Sequence, residues 1–200
     1  MQQSAFSLSK DLESAILNRR SIRKFQQKEI EPAVLTKLVD LARFHASGAN
    51  LQPLCYAIIS RDPMRSQVFP HLKWAGYLPE FTIAPDEQPT AYIVLIHDTT
   101  VRQKAQFDVG AAATTILLAS ESMGIGTCCI ASFTQKKISE LLNLPETMVP
   151  ELVIALGYPA HEATTVPFEG SVKYYQDETG KFYVPKRNLE DVLLYSDAKE

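Results

Sequence analysis

Cysteine is scarce in this chain, with three in 200 residues, at positions 55, 128 and 129. No Cys-x-x-Cys occurs, and the four histidines, at 45, 71, 97 and 161, share no ligand spacing. A disulfide framework and a structural zinc site are therefore not expected. Glycine and proline number only 8 and 12, far from collagen or a low-complexity linker. The net charge of −3 argues against bulk electrostatic attachment to nucleic acid. No apolar run approaches the roughly 20 residues of a membrane-spanning helix. The N-terminal segment alternates polar and apolar residues and lacks the apolar centre of a signal peptide. Two catalytic signatures are also missing: no Gly-x-x-x-x-Gly-Lys-Ser/Thr loop and no Gly-x-Ser-x-Gly elbow occur. Gly124-Ile125-Gly126 places Cys129 where a dinucleotide fingerprint needs its third glycine, and it leaves a helix rather than opening one. What remains is a single domain over 1–200, expected to be reduced and cytoplasmic, and long enough to bury a core without staples.

Apolar residues make up 46% of the chain, and their spacing predicts alternating helices and strands. Ser9 can cap a first helix carrying Leu12, Ala15 and Ile16. Pro32 opens a second, with Val34, Leu35, Leu38 and Leu41 at helical spacing. Short apolar runs at 56–60, 91–96, 127–130 and 152–157 read as strands, those at 91–96 and 152–157 as buried ones. The longest helical pattern spans about 102–123 and is apolar almost all round in its middle, so it is expected to be central. Thr134 can cap a helix running to Leu142. Five prolines between 63 and 89 predict irregular structure or a broken helix there. Runs at 172–176 and 181–184 around Gly180 predict a hairpin, and an amphipathic stretch at 189–195 follows. The tail from about 160 has no evident partner in its own chain. The class is α+β.

Two constellations carry chemistry. Arg19-Arg20-Ser21-Ile22-Arg23-Lys24-Phe25 opens a run to Lys28 with five positive charges and no acid, so the rest of a chain of net charge −3 carries −8. Arginines and a hydroxyl at a helix-to-loop junction can clamp a phosphate through charge-assisted, bidentate bonds. Read alone, the same residues equally suit a solvated edge that complements the helix dipole. Ser47-Gly48-Ala49-Asn50-Leu51-Gln52-Pro53 places two amide side chains in a small-residue loop pinned by proline. Such a loop can present amides to a flat heterocycle, or simply join a helix to a strand. His97-Asp98 has the composition of an acid–base pair, but neighbours at a strand end usually face solvent.

Taken together, in this order and about 30 residues apart, these segments resemble the nitroreductase family of FMN-dependent oxidoreductases. Gly124 to Ile130, the strand end Leu156-Gly157-Tyr158-Pro159, and Pro185-Lys186-Arg187-Asn188-Leu189 resemble it as well. The resemblance implies a mixed sheet flanked by helices, in an obligate homodimer clasped by an exchanged tail over about 160–200. It implies FMN as cofactor, NAD(P)H as reductant and a small-molecule electron acceptor, with no nucleic-acid or membrane partner. By the same resemblance, Arg19 and Ser21 would hold the FMN phosphate and ribityl end, with Arg20 beside them. Arg23 would face the pyrimidine edge. Ser47, Asn50 and Gln52 would reach the flavin from the other subunit. The backbone at Ile130, Ala131 and Ser132 would pass its middle ring, and Lys186 and Arg187 would close the phosphate site. No further catalytic residue is expected, because the flavin carries the chemistry and Arg23 tunes it. Ala46 departs from a proline common in the family, and Ala131 from an acidic residue found in some members. The implied reaction is reduction of nitroaromatics, quinones or flavins by a ping-pong mechanism. Heterocycle oxidation, dehalogenation, and a flavin-holding protein without turnover remain as alternatives.

Overall fold

A computed structural model describes residues 10–198. Its centre is β3 (Ala91–Asp98), buried along nearly its whole length. One edge pairs antiparallel with β2 (Leu54–Ile59), the other with β5 (Met148–Pro159). The far edge of β5 is shared end to end by β4 (Gly126–Ile130) and β1 (Phe25–Gln26), both antiparallel to it. Parallel pairing enters at a bridge between Ser21 and Thr127, and in a second small sheet.

The continuous apolar run of β3 follows from its place in the middle of three layers. Ala91, Ile93 and Leu95 meet Leu35 and Leu38 of α2 (Pro32–Ala42) and Ala112 and Ile116 of α4 (Gln106–Ser122). Tyr92, Val94 and Ile96 face the other way, onto Val68 of α3 (Met64–Val68) and Ile138 of α5 (Gln135–Leu141). Each large side chain buried completely contributes roughly 1.5–3 kcal/mol, so two apolar layers on one sheet provide ample stability without staples. Among the described residues no helix is long and apolar enough to cross a membrane.

The element order agrees with the α+β reading, with differences at the margins. The first helix, α1, covers Lys10–Asn18, and Ser9, its expected cap, lies outside the described residues. Thr134 precedes α5 but makes no side-chain capping bond. The proline-rich segment holds α3 and two short 3₁₀ turns, as a broken helix should. The expected hairpin is present as β7 (Tyr175–Gln176) against β8 (Phe182–Lys186), turning at Gly180 with φ +84°. Its parallel neighbour β6 (Ala163–Pro167) is a strand the alternation of residues did not announce. The tail therefore has a partner in its own chain as far as Lys186, where the fully buried Phe182 anchors it. The last stretch, including α6 (Leu189–Val192), leaves its apolar residues exposed. The long helix is less central than expected: α4 buries one stripe, while Phe107 is 88% exposed.

One packing detail positions the site. Gly126 and Gly157 are cross-strand partners on β4 and β5. Ile22 lies over the first and Phe25 over the second. A Cβ on Gly126 would sit 2.9 Å from Ile22 side-chain atoms, and one on Gly157 would sit 2.7 Å from Phe25 Cδ1. The two bare glycines form a trough that receives the apolar residues of the basic segment. Gly126 is thus more than a helix stop.

Candidate functional site

With Ile22 and Phe25 seated in that trough, and Ile22 N–H donating to Thr127 C=O at 2.8 Å, the basic segment is fixed against β4. Arg19 and Arg20 then line one wall of a cavity of about 600 Å³ whose opposite wall carries Lys186 and Arg187. Two segments 167 residues apart are brought together here. Four cations line this cavity and no acid does, although the chain as a whole is acidic.

The four are not equivalent. The Arg20 guanidinium donates to the carbonyls of Leu17 and Arg19, closing the C-terminus of α1. Partial burial and the neighbouring Arg19 charge lower its pKa. Arg187 donates to the Asp191 carbonyl. Among the described residues, the side chains of Arg19 and Lys186 have no hydrogen-bond or ion-pair partner. These two are free to take an anion.

Arg23 is buried, its guanidinium 4.4 Å from the Tyr174 ring centroid and 5.1 Å from that of Phe182, with no carboxylate partner among the described residues. The aromatic faces replace a counter-ion. Its backbone N–H donates to His161 Nε2 at 2.8 Å, while His161 Nδ1–H donates to the Glu162 carbonyl at 3.0 Å. Burial holds the imidazole pKa below its ordinary value, in keeping with a neutral ring whose Nε2 accepts. His161 also lies 4.7 Å from the Phe182 ring. Arg23, His161, Tyr174 and Phe182 thus form one unit that docks the small sheet on the basic segment. No local pattern in the sequence marks His161, Tyr174 and Phe182, because their contacts with Arg23 span 138 residues or more.

The second constellation lies on the loop between α2 and β2. Asn50 and Gln52 are exposed, and Ala49, Asn50 and Gln52 have φ of +52°, +55° and +53°. Left-handed backbone costs a non-glycine residue about 1–2 kcal/mol, so this loop stores strain. Ser47 is partly buried, and its Oγ–H donates to Asp108 Oδ1 at 2.5 Å. Asp108 is 1% exposed, in the first turn of α4. It was also missed, although it is the one acid in register with the buried Ala112 and Ile116. His97 engages Arg102 C=O through Nε2 at 2.6 Å and faces Glu151 through Nδ1 at 3.2 Å, which gives it a supporting place rather than that of a free acid or base.

Ile130, the last residue of β4, is buried while Ala131 and Ser132 just beyond it are exposed, and the Ser132 carbonyl accepts from Lys73 N–H. Trp74 packs against the core, and the Tyr77 ring lies 5.1 Å from that of Tyr174, tilted by 53°. Cys128 is buried and Cys129 is exposed. Desolvation pushes the Cys128 thiol up and the Cys129 thiol to about 11. Both are thiols at neutral pH, and thiolate reactivity appears only in strong alkali. Replacing Cys129 by Ser is therefore expected to leave turnover intact, and alkylation at pH 8 should be slow. A substrate trapped covalently on either sulfur, in a mass spectrum of the intact chain, would contradict this.

The nitroreductase family profile matches residues 16–158, and the chain belongs to that family. A Methanothermobacter thermautotrophicus protein provisionally named NADH dehydrogenase/NAD(P)H nitroreductase is 29% identical over 162 residues, covering 78% of this chain and 81% of its own. The Bacillus subtilis FMN reductase (NADPH) is 25% identical over 181 residues, covering 82% of this chain and 72% of its own. Among solved structures, a Desulfovibrio desulfuricans chain in complex with FMN aligns with a TM-score of 0.68 at 21% identity, over 96% of this chain and all of that one. That likeness is one of fold.

Proposed function

We propose that this protein is an FMN-dependent oxidoreductase that takes hydride from NAD(P)H and passes reducing equivalents to a nitroaromatic, a quinone or a free flavin. The observation that carries the reading is the acid-free cavity in which Arg19 and Lys186 lack partners among the described residues. Two unpaired cations at one opening suit a phosphate dianion, which takes bidentate bonds from arginine and a point charge from lysine. FMN, when bound, supplies hydride acceptance and donation. Arg19 and Lys186 hold the phosphate, Ser21 flanks it, and Arg20 and Arg187 add charge while closing their own helix and turn. The backbone at 130–132 lines the ring's path. No general acid or base from the chain is required, and NAD(P)H and acceptor occupy one space in turn, which is a ping-pong order. Cys55, Cys128 and Cys129 are unpaired, which suits a reducing cytoplasmic compartment.

The working unit in this reading is a homodimer. Support comes from apolar surface that one protomer leaves open: Leu17, Phe107, Leu189, Leu194 and Tyr195 are all exposed. Solitary apolar residues are ordinary on a surface, but so many large ones on α1, α4 and the terminal segment support an interface. An obligate interface should bury more than about 2,000 Å². Light scattering of the flavin-loaded protein at micromolar concentration should give twice the chain mass, whereas a folded, flavin-bound monomer would refute the dimer. The function itself is tested by supplying NADH or NADPH without oxygen and following the flavin absorption band.

A further inference from the structure

The strained loop over 47–52 has a buried anchor. The Ser47 hydroxyl makes two bonds at once: its oxygen accepts Gln52 N–H at 2.9 Å, and its hydrogen goes to Asp108 Oδ1. The other carboxylate oxygen, Oδ2, lies 3.5 Å from Arg102 Nη1, and His45 Nε2 lies 3.6 Å from Oδ1. The Arg102 guanidinium also presses against Gly48, where a Cβ would collide with it. Its carbonyl is in turn held by His97 of β3. A chain of polar contacts therefore runs from the central sheet, through Arg102 and Asp108, into the backbone of the loop. A buried carboxylate is retained only when it is well partnered, and every partner of Asp108 belongs to this loop or leads to it.

We propose that Ser47 and Asp108 are positioning residues, which hold Ala49, Asn50 and Gln52 left-handed so that Asn50 and Gln52 stay projected toward the isoalloxazine ring. Ser47 is thereby removed from the direct flavin contacts, because its one hydroxyl hydrogen is spent on Asp108. The inference rests on the flavin reading of Asn50 and Gln52 above. It goes further in dividing the loop into two side chains that touch the ring and two that set the loop's shape.

Hydrogen exchange on the full chain as purified tests the anchor, and equilibrium dialysis against FMN and against riboflavin tests what the anchor serves. Losing one charge-assisted bond should raise exchange over 49–54 in Ser47→Ala about tenfold or more, with exchange elsewhere unchanged. FMN and riboflavin affinities should both fall by about the same tenfold factor, since a ring contact is indifferent to the phosphate. Ser47→Thr keeps the hydroxyl and should restore both readouts. Asp108→Asn keeps an acceptor but loses the charge, and should fall between Ser47→Ala and wild type. Unaltered exchange over 49–54 in Ser47→Ala overturns the anchor. Faster exchange with unchanged flavin affinities overturns its link to the ring. A wild-type chain that binds neither flavin, with 49–54 still loosened by Ser47→Ala, overturns the flavin reading and leaves the anchor supported.

Discussion

Replacing Arg19 by Ala is expected to weaken FMN binding about 10- to 100-fold, corresponding to roughly 1.5–3 kcal/mol of charge-assisted bonding, while riboflavin affinity barely changes. The selectivity follows from geometry. Among the described residues the Arg19 side chain has no hydrogen-bond or ion-pair partner, so its loss removes charge from the cavity without opening a hole in the core. Arg20→Ala should behave differently, because its guanidinium closes the last turn of α1 and its removal costs helix stability before it costs phosphate affinity. Arg23→Ala is the internal control. Its guanidinium is buried between Tyr174 and Phe182, so both flavins should suffer alike as the small sheet loosens. Excess FMN should restore turnover to Arg19→Ala and not to Arg23→Ala. Phosphate-selective loss in both variants would mean that the basic segment acts as one undivided clamp. No loss in either would return it to a solvated edge.

The second large effect concerns a residue with no side chain. Gly157→Ala is expected to destabilise the fold by about 1–3 kcal/mol, the usual cost of forcing extra volume into a packed site. The added Cβ would stand 2.7 Å from Phe25 Cδ1 and 2.9 Å from Phe25 Cβ, and the latter cannot swing aside without moving the backbone. Phe25 is fully buried and ends the basic segment, so the strain reaches Arg19 and Ser21 through a short stretch of chain. FMN affinity should fall along with stability. Phe25→Leu in the Gly157→Ala background removes the ring and should recover part of both losses. Thermal melts of the four proteins in this cycle check the coupling, and additive effects would show that the trough does not exist.

Much of this was legible in the sequence, and the part that was not shares a physical cause. The runs at 91–96 and 152–157 read as buried strands because apolar layers cover both faces of the central sheet. The meeting of Arg19 and Lys186 was available only through the family resemblance, since no local pattern links residues so far apart. β6 escaped notice because only two of its five residues, Ala163 and Val166, are apolar, and it lies at the sheet edge where alternation is weak. Asp108 and His161 were missed for a related reason. Each is a single polar residue whose meaning depends on a partner 61 or 138 positions away. The all-round apolarity of α4 predicts a central helix, but the structure buries one stripe and leaves the other side open. That open side is where the proposed partner protomer would lie.

The most direct test of the central claim is an anaerobic titration of the purified protein with NADH and, separately, with NADPH, followed through the visible flavin band. The account predicts a yellow protein carrying about one FMN per chain, bleached by at least one of the two nucleotides and recoloured when a quinone or nitroaromatic is added. A colourless protein that takes up no FMN, or a yellow one that neither nucleotide bleaches, would contradict it.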